Sequence, residues 1–337
     1  MERTCADHFR KRCWGIGLGF GFRVVALDPN FRKLSIDDIV AAYCRSKSRA
    51  ILLDYDGTLM PQNLIIKTPS PQVLSLLNSL CADPKNLVFM VSGRGRESLN
   101  RWFFPCKKLG LAAEHGYFVR WPQNEEWETY GQGSEFGWMQ MAEPVMKSYT
   151  EATDGSGIEK KESALVWHYH DADPGFGFSQ AKEMLDHLES VLANEPVAVK
   201  SGQYIVEVKP QACVIKALLL CSFIGVSKGT VAEKVFTSMT ENGKQADFVL
   251  CIGDDRSDED MFELMGTAVS RRILSYNTEV FACTVGQKPS KAKYYLDDSS
   301  EVVAMLESLA EATDSPVTSD EEDVGFPRKI GSVSSFV

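Results

Sequence analysis

Two aspartates one residue apart, Asp54 and Asp56, follow the apolar run "AILL" and precede Gly-Thr in the stretch "DYDGTL". The run is short and continuous, which is typical of a strand buried on both faces of a parallel sheet. Burying an ionised carboxylate there is costly unless a cation or a metal ion compensates its charge. The pair therefore indicates a reactive or metal-binding site at the end of a strand.

Two further apolar strands also end in polar residues. Ser92 ends the run "LVFMVS", and Asp254 and Asp255 end the run "VLCIGDD". Ligands of parallel α/β sheets bind beyond the carboxyl ends of the strands. We therefore expect these side chains to meet the first aspartate pair at one edge of the sheet.

The residue types at this edge suit phosphoryl transfer. A carboxylate can attack phosphorus and form an aspartyl-phosphate. Asp54, Asp254 and a phosphate carry like charge and need a cation, for which Mg²⁺ is the natural choice with oxygen ligands. Lys228, at the start of a predicted helix, suits neutralising the phosphate, and the Ser92 hydroxyl suits holding one of its oxygens.

The elements that must position these residues alternate between strand and helix from residue 49 onward. The stretch "SPQVLSLLNSLCAD" predicts a helix with Ser70 as N-cap and Pro71 at its first position. Predicted strands are "NLVFMVSGR", "LGLAAEHG", "DFVLCIGDD" and "EVFACTVG". This alternation favours an α/β fold with a doubly wound parallel sheet.

The pattern changes between about residues 117 and 211. "YFVRW", "ALVWHYHDAD" and "QYIVEVK" predict strands of a half-exposed sheet. A predicted amphipathic helix has an apolar stripe made of Met184, Leu185, Leu188, Val191 and Leu192. We expect an α+β cap over 117–224, inserted between two core segments, 49–116 and 225–312. Within it, the apolar stretch 212–224 is an atypical insertion.

Both ends of the chain differ from this core. Residues 1–48 predict a remnant or linker of a missing upstream domain rather than an independent domain. Residues 313–337 are rich in serine and acids with few core formers, which predicts a disordered tail.

Composition excludes several classes of protein. The formal net charge of −10 over 337 residues argues against a nucleic-acid footprint. Nine cysteines without a CxxC pair favour free thiols in a reducing compartment. The N-terminus has no apolar secretory stretch, and the apolar run 212–226 contains Lys216 and is too short to span a bilayer. We expect a cytoplasmic protein with no nucleic-acid or membrane partner.

The motifs taken together resemble a known family. "DYDGTL", "SGR", "SKG" and "GDDRSDEDMF" resemble the four ordered signatures of haloacid-dehalogenase-like phosphatases. With "AEHG", "KSGQYIVEVKP" and "VSKGTVAEK", the chain is similar to trehalose-6-phosphate phosphatase domains. The flanking "GFRVVALDPNFRKLSIDDIV" resembles the junction in the second plant class of trehalose-phosphate synthases, where a glucosyltransferase-like domain comes first.

The resemblance implies a haloacid-dehalogenase-like core, hydrolysis of trehalose-6-phosphate with Mg²⁺, and a part in trehalose biosynthesis. It implies that Asp54 is the nucleophile, and that Asp56 protonates the leaving sugar oxygen and then activates water. Thr58 and Ser92 would hold the phosphoryl group, and Lys228 would neutralise it. No glucose transfer is expected from this chain.

The resemblance also implies a metal site and a sugar site. The implied metal ligands are Asp54, the main-chain carbonyl of Asp56, and Asp254, with support from Asp255 or Asp258. The implied sugar-binding residues are Arg94, His115, Lys200, Ser201, Gly202 and Glu207.

Two departures from the family pattern leave an alternative open. His170 stands where the family has an arginine, and a neutral imidazole is a poor substitute for a guanidinium. The insertion 212–224 separates "VEVKPQ" from "GVSKG". We expect that it comes from a retained intron or an alternative gene model. If the segment is real, we expect it to displace Lys228 and weaken the activity. The alternative is a weak or inactive protein that senses a sugar phosphate and has regulatory protein partners. A zinc site at His168 and His170 is a minor alternative.

Overall fold

The computed structural model describes residues 13–18, 21–26, 30–64, 66–129, 136–202, 204–214 and 222–314. The predicted tail 313–337 lies outside these residues, apart from Thr313 and Asp314, which end the last helix. Residues 215–221 of the apolar insertion also lie outside them. None of the helices in the described ranges is long and apolar enough to cross a membrane.

The described residues form sixteen strands and eight α-helices. The strands are β1 (Cys13–Leu18), β2 (Gly21–Ala26), β3 (Arg32–Lys33), β4 (Arg49–Leu53), β5 (Asn86–Val91), β6 (Gly110–Ala113), β7 (Phe118–Arg120), β8 (Glu128–Thr129), β9 (Gly157–Lys160), β10 (Leu165–His168), β11 (Val197–Gly202), β12 (Ile205–Val214), β13 (Ser222–Gly225), β14 (Phe248–Gly253), β15 (Glu279–Val285) and β16 (Tyr294–Leu296). The helices are α1 (Ile36–Arg45), α2 (Pro71–Ala82), α3 (Arg96–Trp102), α4 (Gly137–Ala152), α5 (Pro174–Val191), α6 (Lys228–Glu241), α7 (Glu259–Thr267) and α8 (Ser299–Asp314).

A nine-stranded sheet in the order β3-β16-β15-β14-β4-β5-β6-β7-β8 forms the centre of the molecule. Its strands are parallel from β3 to β6, and β7 and β8 are antiparallel. One face packs against α1, α2, α3 and α8, and the other packs against α6 and α7. The expected doubly wound α/β fold is confirmed.

Burial on both faces explains the local sequences. All five residues of β4 are buried, so the strand reads as a continuous apolar run rather than an alternating one. The predicted start of α2 is also confirmed, because the Ser70 side chain accepts a hydrogen bond of 3.2 Å from the Val73 amide and Pro71 occupies the first turn.

A second, smaller sheet contains β11, β12, β10 and β9 in that order, with β13 paired to β12. This sheet and helices α4 and α5, which we call the cap, share an apolar core around Trp138, Trp167 and Met184. The predicted stripe of α5 is correct for Met184, Leu188 and Leu192. It is wrong for Val191, which is exposed, and Leu185 is only half-buried.

Two segments pair differently from the prediction. "YFVRW" was expected in the cap sheet, but β7 pairs with β6 of the large sheet, because the chain reverses in a tight turn at residues 114–116. At the opposite edge, β3 pairs with β16, and α1 packs on α8 with a 2.8 Å hydrogen bond between the Tyr43 and Thr313 hydroxyls. Residues 32–45 thus belong to the large sheet's layer rather than to a linker.

The two ends of the apolar insertion form a hairpin. Ala212–Val214 extend β12, and β13 runs back antiparallel to them, from Val214 opposite Ser222 to Gln211 opposite Gly225. Gln211 and Gly225 flank the insertion in sequence, and the hairpin brings them side by side. The chain is therefore back beside Gln211 when it reaches Gly225, three residues before α6 begins.

Candidate active site

The predicted strand-end residues meet at one edge of the large sheet. Asp54, Ser92 and Asp254 directly follow β4, β5 and β14, which are neighbours in the sheet. All three side chains are buried. Thr58, also buried, donates from its hydroxyl to Asp54 Oδ2 at 3.2 Å. The convergence expected from the sequence is therefore present.

Three buried carboxylates form a candidate metal site. Oxygens of Asp54, Asp254 and Asp258 lie within 4.8 Å of one another. Asp254 Oδ1 is buried and has no hydrogen-bond partner among the described residues. Such an atom is commonly satisfied by a bound water or ion, and an all-oxygen set of this kind fits a hard divalent cation such as Mg²⁺. The residues present thus fit the expected metal.

Two predicted metal residues direct their carboxylates elsewhere. The Asp255 carboxylate accepts hydrogen bonds from the amide and hydroxyl of Ser257, at 2.8 and 2.6 Å. The Asp56 carboxylate accepts two hydrogen bonds from Arg94, at 2.8 and 2.7 Å. Of the two residues proposed to support the metal, Asp258 is the one whose carboxylate lies in the cluster.

Lys228 bridges two carboxylates of the cluster, one of which is the candidate nucleophile Asp54. Its Nζ lies 2.6 Å from Asp54 Oδ1 and 2.8 Å from Asp258 Oδ1. The lysine is the first residue of α6, whose N-cap Ser227 forms a capping box with Thr230. The expectation that the insertion displaces Lys228 is wrong, since the β12–β13 hairpin returns the chain to the start of α6.

One lysine does not balance three buried acids. Burial raises the pKa of Asp54 to about 7 against the opposing effect of Lys228. Burial, together with the charges of Asp255 and Asp258, raises the pKa of Asp254 to about 7. Burial also raises the pKa of Asp258. A bound divalent cation would remove this penalty, because it favours the ionised form of every ligand.

Gly57 allows the loop to pass this close to the cluster. Its φ is +80°, and a Cβ at this position would lie 2.0 Å from Asp254 Oδ2. Any larger residue would therefore displace the Asp254 carboxylate.

The predicted sugar residues divide between the core and the cap. His115, on the core side, has Nε2 at 3.8 Å from Oε1 of Glu207 in β12. Lys200 pairs directly with Glu207 across the cap strands, so both lie on one face of the sheet. Ser201 pairs with Val206, which is buried in the cap core, so the structure places Ser201 on the opposite face. Gly202 is half-buried at the end of β11.

The two histidines of the zinc alternative, His168 and His170, contact different carboxylates. His168 Nε2 lies 2.9 Å from Glu159, and the exposed His170 lies 3.1 Å from Asp171. Across the described ranges, the group of acids and histidines spaced for a metal is the aspartate cluster. His170 is thus a surface residue of the cap.

The structure adds residues that sequence reasoning missed. Gln62 donates to Asp254 Oδ2 at 2.7 Å, Lys161 donates to the Gly93 carbonyl at 3.2 Å, and Lys209 lies 3.1 Å from Glu207 Oε2. Lys209 follows Glu207 by two residues in a strand, so strand alternation could have found it. Gln62 and Lys161 lie in loops and carry no comparable signal.

A crevice between the core and the cap adjoins these groups. Its lining is mixed, with the polar side chains of His115, Lys161, Glu207 and Lys209 beside the apolar Ala164 and Val226. Burial, and then the charges of Lys209 and Lys228, lower the pKa of His115 well below its ordinary value. The imidazole is therefore neutral and can exchange hydrogen bonds with an uncharged hydroxyl.

Comparisons with known proteins agree with this geometry. A family model described as trehalose-phosphatase matches residues 52–300. The chain is 71% identical over 314 residues to the probable alpha,alpha-trehalose-phosphate synthase (UDP-forming) 7 of Arabidopsis thaliana, covering 93% of this chain and 35% of that protein. The chain thus spans about a third of the length of the curated relatives that it matches.

Solved structures give the same result. The fold matches a trehalose-6-phosphate phosphatase of Aspergillus fumigatus with a TM-score of 0.61 and 35% identity, over 84% of this chain and 99% of that one. It matches the C-terminal domain of trehalose-6-phosphate phosphatase from C. albicans with a TM-score of 0.72 and 31% identity, over 83% and 98% of the two chains. The resemblance seen in the motifs is confirmed, and the chain belongs to the trehalose-phosphatase family.

Proposed function

We propose that this chain hydrolyses trehalose-6-phosphate through an aspartyl-phosphate on Asp54, as a phosphoric monoester hydrolase of trehalose biosynthesis. The observation that carries the proposal is the environment of the Asp54 carboxylate. One oxygen is held by Lys228 at 2.6 Å and the other by Thr58 at 3.2 Å. Two fixed donors hold the carboxylate in a single orientation, as a nucleophile requires.

In the first step, an Asp54 carboxylate oxygen attacks phosphorus and the bond from phosphorus to the sugar oxygen breaks. Asp56 supplies the proton that the leaving sugar oxygen takes up. In the second step, Asp56 removes a proton from water, the water oxygen attacks phosphorus, and the bond to Asp54 breaks. Inorganic phosphate and the free carboxylate are the products.

The bidentate contact of Arg94 with Asp56 sets a condition on this cycle. Arg94 donates to both oxygens of the Asp56 carboxylate, so neither oxygen can reach the leaving sugar oxygen while the contact lasts. An incoming phosphate competes for the same guanidinium. Substrate binding would thus free the Asp56 carboxyl group for its part in proton transfer.

The remaining residues stabilise charge. Asp54, Asp254 and Asp258 would hold Mg²⁺, which supplies positive charge to offset that of the phosphate. Ser92 and Thr58 provide hydroxyl donors, and Lys228 provides a fixed cation. The Asp56 main-chain carbonyl and Asp255 stay predictions as further metal contacts.

For the sugar, the neutral His115 and the cap residues Lys200, Glu207 and Lys209 offer both donors and acceptors. Such a mixture suits the hydroxyl groups of an uncharged disaccharide. Ser201 and Gly202 stay predictions from the family motif, as do a cytoplasmic location and regulatory protein partners. We propose the core and cap division as predicted, with residues 32–45 and β7 assigned to the core.

One contact favours the alternative of sugar-phosphate sensing without turnover. If Arg94 keeps its hold on Asp56 when a sugar phosphate binds, neither proton transfer takes place and the ligand stays intact. The site would then report the ligand through the position of the cap.

Phosphate release from trehalose-6-phosphate with Mg²⁺ tests the proposal, with Asp54→Asn as the matched variant. We expect release by the wild type and a loss of at least about 1,000-fold in the variant, since the nucleophile is removed. Equal rates in the two proteins would refute the covalent route. Calorimetry that shows binding by the wild type without release would support the sensing alternative.

A further inference from the structure

The turn between β6 and β7 has an unusual backbone. Glu114, His115 and Gly116 have φ values of 48°, 58° and 105°, so three successive residues lie in the left-handed region. Side chains other than glycine rarely adopt this conformation, and each instance costs free energy. Contacts elsewhere must therefore hold Glu114 and His115 in place.

Glu114 is held by the cap. Its side chain belongs to the core and is buried. Its carboxylate accepts hydrogen bonds from the Ser163 amide at 2.8 Å, from the Ser163 hydroxyl and from the Glu162 amide at 3.2 Å. All three donors lie in the cap loop between β9 and β10. A core carboxylate is thus compensated across the boundary between the two parts of the molecule.

The next two residues of the turn, His115 and Gly116, contact the segments that carry Ser92 and Lys228. The His115 amide donates to the Ser92 carbonyl at 2.9 Å, and its ring lies so close to Gly93 that a Cβ there would approach it to 2.8 Å. Gly116 lies against Val231 of α6, since a Cβ on Gly116 would be 2.2 Å from that side chain. Lys228 is the first residue of the same helix.

We propose that Glu114 is a positioning residue that latches the cap onto the core and couples cap closure to the arrangement of Ser92 and Lys228. The inference rests on the proposed function for its kinetic consequence only. If the cap moves away, the buried carboxylate loses its three donors, and the left-handed turn loses the cap contacts that help to hold it. The turn then holds the backbone at Ser92 and the start of α6 less firmly.

An exposed ion pair provides an internal comparison. Arg96 of α3 and Glu162 of the cap loop lie 2.6 Å apart and also join the core to the cap. Both side chains are about two-fifths exposed, so water competes with this pair and its contribution is small. The latch is the buried contact, because a carboxylate that loses its donors away from water is costly.

The experiment uses the full chain with Glu114→Gln, Ser163→Ala, the double variant and Glu162→Gln as the control. Amide hydrogen exchange of residues 160–164 is measured without substrate, and KM and kcat are measured with trehalose-6-phosphate. In Glu114→Gln we expect exchange at Ser163 to rise about tenfold and KM to rise about tenfold, with kcat reduced less than threefold.

Ser163→Ala removes one donor and keeps the amide, so we expect a rise of about threefold in both quantities. The double variant should match Glu114→Gln alone, because both changes break one contact. The control should change each quantity less than twofold.

A lower melting temperature with unchanged exchange and unchanged KM would show a structural role and overturn the proposal. Independent, multiplying effects in the double variant would also overturn it, as would a control as damaging as Glu114→Gln. If the wild type releases no phosphate, the proposed function fails, and hydrogen exchange alone then decides whether the latch exists.

Discussion

Asp254→Asn tests whether the carboxylate cluster is built for a cation. In the folded protein the pKa of Asp254 is raised to about 7 from its ordinary value of 3.8, first by burial and then by neighbouring carboxylates. An acid with a higher pKa in the folded state binds its proton more tightly there than in the unfolded chain. The metal-free wild type should therefore lose stability as the pH rises from about 4 to about 7, and should stay level above that.

The size of the effect follows from the two pKa values. Each tenfold difference in acidity corresponds to about 1.4 kcal/mol, so the Asp254 carboxylate costs roughly 4 kcal/mol at pH 8 and roughly 2 kcal/mol at pH 5. Asparagine carries no charge, and its oxygen can still accept the hydrogen bond from Gln62 that reaches Asp254 at 2.7 Å. The variant should exceed the wild type in unfolding free energy by about these amounts in EDTA.

Urea unfolding at pH 5 and pH 8, in EDTA and in saturating Mg²⁺, measures the prediction. Mg²⁺ should stabilise the wild type by about 2 to 3 kcal/mol at a concentration near 100 times its dissociation constant, and should stabilise the variant far less. Asp260→Asn, an exposed acid in the first turn of α7, is the control and should change stability by less than about 1 kcal/mol. A variant that is less stable than the wild type in EDTA at pH 8 would refute the reasoning.

Three further predictions follow from the site and the hairpin. Deleting 212–224 should leave the melting temperature within a few degrees of the wild type and the rate of phosphate release within about threefold, because the hairpin already places Gln211 beside Gly225. Loss of activity in a folded deletion variant would contradict this prediction. Arg94→Ala should reduce kcat/KM about 10- to 100-fold. Arg94→Lys should recover little of the lost kcat/KM, since an ammonium cannot make the bidentate contact. The control Arg96→Ala, which removes an exposed ion pair, should change kcat/KM less than threefold. His115→Asn should flatten the fall in unfolding free energy between pH 6.5 and pH 5.5 by up to about 1 kcal/mol, because burial lowers the folded pKa of His115 and the unfolded chain protonates first. Asparagine tolerates the φ of 58° at that position, and an unchanged slope in urea unfolding would show that His115 is charged in the folded state.

The sequence allowed the core of the candidate site to be predicted because each part obeys a local rule. Continuous apolar runs marked β4, β5 and β14 as strands buried on both faces, and the order of parallel strands put their ends at one edge. Asp54, Ser92 and Asp254 follow from that rule, and the capped helix start of α6 gave Lys228. The same rules gave the cap as a separate, half-exposed sheet.

The errors arise where pairing partners are distant or the loop conformation decides. Nothing within "YFVRW" distinguishes an edge strand of the large sheet from a cap strand, because only the turn at residues 114–116 determines its partner. Strand alternation could have placed Ser201 on the opposite face of β11 from Lys200. Whether the insertion displaces Lys228 depends on the pairing register of β12 and β13. The apolar composition of the insertion does not specify that register.

By itself, the sequence determined the parallel sheet, the buried aspartates and the chemistry that their spacing favours, since these depend on residues close in the chain. Only the tertiary structure decided which carboxylates form the candidate metal site, that Arg94 holds Asp56, and that Glu114 contacts Ser163 of the cap. These contacts join loops that no helical or strand period relates, and their geometry exists only once the core and the cap are packed together.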